Sequence, residues 1–252
     1  MSIIKRILNK LSLYWDFLIA FVLIEYNIKK SIHLKHIKEP IRLRRKTSDI
    51  KVFGQIFAKQ EYEIALHLPY DFIPKVIVDC GGNIGLATVY FKNRYKDAKI
   101  ISIEPDKGNF AILQQNIKNY DDVIGINSAV WSKSTYLKIE NANAAGWGFI
   151  VKEATLSDEN SFIATSISDL MKKYELERID ILKMDIEGAE KEIFSASDSG
   201  EWLKKTHVLV VETHDFMVKG TASAVFKALQ KYDYHFANVG ENLIFVFDHA
   251  QK

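Results

Sequence analysis

From Val76 onward, short runs of β-branched and other apolar residues alternate with stretches of helical spacing. That alternation predicts a parallel sheet whose strands are joined by crossover helices. The runs place strands at Val76 to Asp79, Ile100 to Glu104, Val123 to Ala129, Ile179 to Asp185 and Val208 to Glu212. After a helix over Thr221 to Tyr232, the runs YHFANV and LIFVF are separated only by Gly240, Glu241 and Asn242. So short a link cannot hold a crossover, so these last strands are expected to be antiparallel neighbours. Between Trp131 and Asp169, TYLKIE and GWGFIVKE predict an inserted hairpin, followed by a helix around Ile167 to Tyr174.

Upstream of Val76 the pattern changes. Leu11 to Ile28 is apolar, but Asp16 and Glu25 interrupt it and leave only Phe17 to Ile24 uncharged. A membrane span needs ~20 residues, and no small-residue cleavage site follows. The stretch predicts an amphipathic helix, with Lys5, Arg6 and Lys10 before it and Lys29 and Lys30 after it. Its apolar face is expected to pack on the domain or a partner subunit; peripheral membrane contact through residues 1–30 is the other reading. The chain thus divides into a helical extension, residues 1–40, and an α/β domain, residues 41–252. Thr47 to Asp49 are expected to cap a helix running through Gln55, with the segment around Gln60 and Tyr62 as a lid.

Composition narrows the partners and the compartment. The 252 residues carry a net charge of +2, which argues for neither a nucleic-acid surface nor an acidic substrate. The basic run Arg42, Arg44, Arg45 and Lys46 is the usual makeup of a solvated face. Cys80 is the single cysteine, so an intrachain disulfide and a multi-thiolate zinc site are both excluded. A reducing, cytoplasmic location is expected.

The candidate chemistry gathers at the carboxyl ends of the strands. VIVDCGGNIG runs from a buried strand into a glycine turn and then a helix, and it contains D-x-G-x-N-x-G at Asp79, Gly81, Asn83 and Gly85. Glu104 ends the next strand, nineteen residues after Gly85, where an acid can accept from both ribose hydroxyls of an adenosine. The dinucleotide fingerprint G-x-G-x-x-G is broken, because Cys80 stands at its first glycine. S-adenosylmethionine has no phosphate and carries a sulfonium and an ammonium group, so its charges suit this turn better. At period two, Lys183, Asp185 and Glu187 point to one face if the chain stays extended. His214 lies just past the carboxyl end of a strand, and an ordinary imidazole pKa near 6.5 suits it as a general base. Glu212, two residues earlier, is placed to orient it or bind the acceptor. Glu190 reads as a first-turn helix acid or a further functional carboxylate. Asp185, Glu187, Glu212 and His214 offer metal donors, but no short metal motif supports them and no metal is assigned.

D-C-G-G-N-I-G, I-E-P at 103–105, K-M-D-I-E-G-A-E at 183–190 and V-E-T-H at 211–214 together resemble the FkbM family of S-adenosylmethionine-dependent methyltransferases. The likeness covers roughly residues 42–247. It implies a class I, Rossmann-like three-layer sandwich, with a seven-stranded, mostly parallel sheet and an antiparallel last strand. It implies methylation of a hydroxyl on a sugar, glycan or secondary metabolite, with S-adenosylmethionine as cofactor. By that resemblance Asp79, Gly81, Asn83 and Gly85 surround the methionine part, Glu104 the ribose, and Ser128 with Ala129 the adenine. Asp185 then borders both cofactor and acceptor. His214, Asp185 and Glu187 are the expected catalytic residues, and Tyr62, Trp147, Lys183 and Glu212 the expected acceptor contacts. The rival readings are a nicotinamide-dependent oxidoreductase and a catalytically silent cofactor-binding module.

Overall fold

The computed structural model describes residues 3–63, 68, 72–139 and 151–248. The extension contributes α1 (Ile3–Glu25) and a short antiparallel ribbon of β1 (Ser31–Ile32) and β2 (Ile41–Arg42). Next, α2 (Asp49–Phe53) runs on into one wide π-helical turn, Gly54–Ala58. The domain then alternates β3 (Val76–Cys80), α3 (Leu86–Arg94), β4 (Lys99–Ile103), α4 (Lys107–Ile117) and β5 (Val123–Ile126). An insertion follows, made of β6 (Ala129–Val130), β7 (Thr135–Ile139), β8 (Val151–Ala154) and β9 (Phe162–Thr165). After it come α5 (Ile167–Lys173), β10 (Ile179–Met184), α6 (Glu190–Ser195), α7 (Ser199–Leu203), β11 (Thr206–Glu212) and α8 (Thr221–Leu229). The hairpin β12 (Tyr234–Val239) and β13 (Asn242–Phe247) closes the fold.

The main sheet runs β12-β13-β11-β10-β3-β4-β5, parallel except for β13, which is antiparallel to both of its neighbours. This is the expected seven-stranded arrangement with its terminal hairpin. Alternation along the strands feeds two core layers. Ile77, Ile181, Val208 and Ile244 enter one layer, shared with Ala20, Ile24, Ile32, Phe53 and Ile56 of the N-terminal segment. Val78, Leu182, Leu209 and Phe245 enter the other, packed by Leu170, Ile193, Trp202 and Val225. Strand order reverses between β3 and β10, and the carboxyl ends beside such a reversal form the crevice where open α/β sheets bind ligands.

Two local expectations change. The run Val123 to Ala129 is not one strand: β5 stops at Ile126, and Ala129–Val130 joins a separate four-stranded sheet, β6-β9-β7-β8. The Asn127 side-chain amide donates to the carbonyls of Glu104 and Pro105 at 2.9 and 3.0 Å, which turns the chain out of the main sheet. The helix expected through Gln55 is short and widens at Gly54, where a Cβ would sit 2.7 Å from the Phe17 ring. The inserted hairpin forms as β7 against β8, but Trp147 lies outside the described residues.

Candidate functional site

The glycine turn follows from its backbone. Gly81, Asn83 and Gly85 all take positive φ (79°, 49° and 85°). At Gly81 a Cβ would lie 1.7 Å from the Asp185 carbonyl oxygen, so only glycine lets this turn lie against the end of β10. The close approach the glycines permit is therefore to neighbouring protein, and Gly85 likewise backs onto Leu113 of α4.

Glu104, 6% exposed, ties the turn to the next helix. Its Oε2 accepts from the Asn83 N–H at 2.8 Å, and its Oε1 from the Asp106 N–H at 2.9 Å and the Asn109 side chain at 3.4 Å. Burial raises its pKa, and these hydrogen bonds oppose the rise. It is not the cap of α4, because Asp106 performs that task by accepting from the Asn109 N–H. The Asn83 Oδ1 is buried with no hydrogen-bond partner. A carboxylate with lone pairs to spare and an unpaired amide oxygen are the acceptors that ribose hydroxyls and an ammonium group need, so the residues fit S-adenosylmethionine.

Two residues placed around the ligand turn out to be internal. Asp79 is 0% exposed; its Oδ2 accepts from Thr88 Oγ1 at 2.6 Å, and its Oδ1 lies 3.2 Å from Lys183 Nζ. Its charge is spent inside the sheet and does not face a cationic ligand. Lys183, 2% exposed, donates to the Gly81 and Cys80 carbonyls at 2.7 and 3.3 Å and lies 3.6 Å from Asp185. Burial lowers its pKa, but the charges of Asp79 and Asp185 and the hydrogen bond to Asp79 oppose that and hold it well above the ordinary value. Lys183 is thus a bracket between β3 and β10 and makes no acceptor contact. Tyr62 is also buried, its ring 5.5 Å from that of Phe91, with burial pushing its phenol pKa up. It backs the site and is no open lid. Ser128 donates its hydroxyl to the Ala129 and Ile163 carbonyls, and Ala129 is paired with Ala164 in the second sheet, so the Ser128 hydroxyl is engaged inside the protein. Arg44 forms a bidentate pair with buried Asp49, which removes it from the solvated basic run.

The acidic cluster does assemble. After β10, Glu187 and Gly188 take φ of 56° and 100°, so the extended period-two arrangement fails. The resulting turn nevertheless brings Glu187 to the histidine. His214, 2% exposed, has its Nε2 3.6 Å from Asp185, 3.5 Å from Glu187 and 3.6 Å from Glu212. Its Nδ1 lies 2.9 Å from Oε1 of Glu190, which is fully buried and also accepts from the Ile186 N–H at 3.2 Å. Burial lowers the His214 pKa, but the Glu190 hydrogen bond and the charges of Glu190, Asp185 and Glu187 overcome it and raise the ring to about 9. Glu212 is raised by burial and by Asp185, against the opposing charge of His214, to about 7. Burial and Asp185 raise Glu187 as well.

These shifts alter the expected roles. The argument for His214 as base assumed an unperturbed imidazole, whereas Glu190, Asp185 and Glu187 favour the protonated ring. Glu212 is the group whose pKa lies near neutrality. Single donor atoms of Asp185, Glu212 and His214 also lie within 4.8 Å of one another, a spacing one divalent cation can bridge. The sequence does not reveal Glu190 as the partner of His214, because no short spacing links a first-turn helix acid to a residue 24 positions away.

Comparison with known proteins then identifies the family. The methyltransferase FkbM domain model matches residues 79–236, well over half the chain, and spans the turn, Glu104 and the whole His214 cluster. Over 199 residues the chain is 31% identical to methyltransferase sdnD of Sordaria araneosa, covering 64% of this chain and 73% of that protein. Over 192 residues it is 27% identical to Methyltransferase 1 of Beauveria bassiana, covering 62% and 75%. Among solved structures, methyltransferase FkbM from Methylobacillus flagellatus KT aligns with a TM-score of 0.53 at 15% identity. That alignment covers 75% of this chain and only 47% of the other, and it supports the fold alone. A nicotinamide oxidoreductase does not account for this family match, and the chain belongs to the FkbM methyltransferases, enzymes that take their methyl group from S-adenosylmethionine.

Proposed function

We propose that the enzyme O-methylates a hydroxyl of a sugar, glycan or secondary-metabolite acceptor, with Glu212 taking the hydroxyl proton. The observation that carries this reading is the convergence of three carboxylates, Asp185, Glu187 and Glu212, at 3.5–3.6 Å from one buried histidine nitrogen. A hydroxyl must lose its proton as its oxygen forms a new bond to carbon, and a carboxylate with a pKa of about 7 accepts that proton near neutrality. When bound, S-adenosylmethionine supplies an electrophilic methyl on a sulfonium centre.

The chain's own residues do the rest. The Asn83 amide oxygen and the Glu104 carboxylate hold the amino-acid tail and the ribose. Asp185, at the junction of turn and cluster, orients the acceptor, and the more exposed Glu187 takes a further acceptor hydroxyl. Glu190 fixes the His214 ring and keeps it charged, and the charged ring compensates the carboxylate that remains once a proton has moved on. Positioning and exclusion of water supply most of the rate in such a displacement.

The test is incubation with S-adenosylmethionine and a panel of methyl glycosides, polyols and phenols, with amines and thiols alongside. Products are weighed by mass spectrometry and the methyl is located by NMR. Methyl ethers are expected; transfer confined to nitrogen or sulfur overturns the proposal. Glu212→Gln is expected to lower kcat by roughly 10²–10⁴-fold with cofactor affinity retained, and unchanged turnover removes Glu212 as the base.

A further inference from the structure

The outward side of α1 has the wrong chemistry for a helix facing water. Its inner side is built into the protein, with Ala20 and Ile24 buried and Phe17 against Gly54. On the opposite side Tyr14, Trp15, Leu18, Ile19, Phe21 and Val22 are 40–63% exposed, and at helical spacing they share one continuous face. Tyr26 and Ile28, 74% and 60% exposed, add apolar surface just past the helix end. A surface helix ordinarily presents polar residues there, and an exposed apolar face of this extent marks a docking surface.

We propose that this face docks in the interfacial zone of an anionic membrane leaflet, with α1 lying in the plane of the surface. Charge selects this occupant. Residues 1–49, which include Asp49 as the partner of Arg44, hold eleven Lys and Arg against four Asp and Glu, a net +7, whereas residues 50–252 hold 23 against 28, a net −5. The near-neutral total thus hides a strongly basic N-terminal segment on an acidic domain. Lys29, Lys30 and Lys35 are exposed in the segment that follows α1, where acidic headgroups would meet them. A second copy of the chain on the same face would instead bring two +7 segments together. Trp15, Tyr14 and Tyr26 have apolar rings with polar tips, the side chains favoured at headgroup depth. No described helix is long and apolar enough to cross a membrane, so α1 rests on the leaflet.

The experiment is co-sedimentation of the full chain with vesicles of phosphatidylcholine alone and of phosphatidylcholine mixed with phosphatidylglycerol, with light scattering for oligomeric state. The expected result is binding to the mixed vesicles that weakens with added salt. The combined variant Trp15→Ser, Leu18→Ser, Val22→Ser should bind at least ~10-fold less tightly while melting at the same temperature. Lys29→Glu with Lys30→Glu, which leaves the apolar face intact, should also weaken binding to the mixed vesicles and keep the helix packed. Absence of vesicle binding overturns the proposal. So does a wild-type dimer that the triple variant converts to monomer, because it assigns the face to a second copy.

Discussion

Glu190→Gln probes how the site holds its charge. Glutamine keeps the shape of the buried side chain and an oxygen for His214 Nδ1 at 2.9 Å, but removes the negative charge. A hydrogen bond to a charged group contributes roughly 1.5–3 kcal/mol and a neutral one about 1, so the imidazolium loses about 1–2 kcal/mol of stabilisation. At about 1.4 kcal/mol per pH unit, the ring should titrate about one unit below its wild-type value of about 9. NMR titration of the histidine ring in the free enzyme measures this directly, and any His214-dependent limb of the kcat/KM profile should move down with it. A direct titration is needed because Glu190 Oε2 has no hydrogen-bond partner, so an amide placed there lowers overall stability as well. An unchanged titration in the variant, or a wild-type ring titrating near 6.5, refutes the assignment of Glu190 as the group that holds His214 charged.

The other predictions address the remaining parts of the site. Glu104→Ala removes the acceptor of the Asn83 and Asp106 amides and should weaken S-adenosylmethionine binding by roughly 10–100-fold in calorimetry; unchanged affinity removes Glu104 from the cofactor site. Lys183→Met leaves Asp79 and Asp185 without their buried partner and should cost about 3–5 kcal/mol in denaturant unfolding, whereas a surface-like loss under ~1 kcal/mol contradicts the bracket role. His214 has a raised folded pKa, so its contribution to stability is complete below about 6.5 and lost as pH climbs through about 9; His214→Gln should flatten the melting-temperature slope over that window. Glu212 is also raised, to about 7, so it too favours the fold at lower pH, and Glu212→Gln should flatten the slope between about 4.5 and 7.

Much of this architecture is legible in the sequence, because it depends on local chemistry. β-Branched runs buried on both faces announced the central strands, and the link Gly240–Asn242 could only be a hairpin. Glu104 was readable from its distance to the glycines, and Glu212 and His214 from their place at the end of a strand. What stayed hidden depends on register and on distant partners. Alternation tells which face Asp79 takes, but its pairing opposite Lys183 across β3 and β10, which turns both inward, is a tertiary fact. The charge of His214 comes from Glu190 on another element. The break at Asn127 was masked because apolar residues resume two positions later, and α1 read as amphipathic although its outward side carries no charge between Tyr14 and Val22.

The contact of Gly81 with the Asp185 carbonyl, reinforced by Lys183 reaching across to both strands, has a consequence for how such an enzyme can diversify. The glycine turn on one side of this seam and the His214 cluster on the other are held against each other, so a substitution at either is felt by the other. A change in acceptor preference is expected instead from a side chain that the seam does not fix, such as Glu187, which is 60% exposed. The chemistry is inherited as a block, and selectivity is free to drift around its rim.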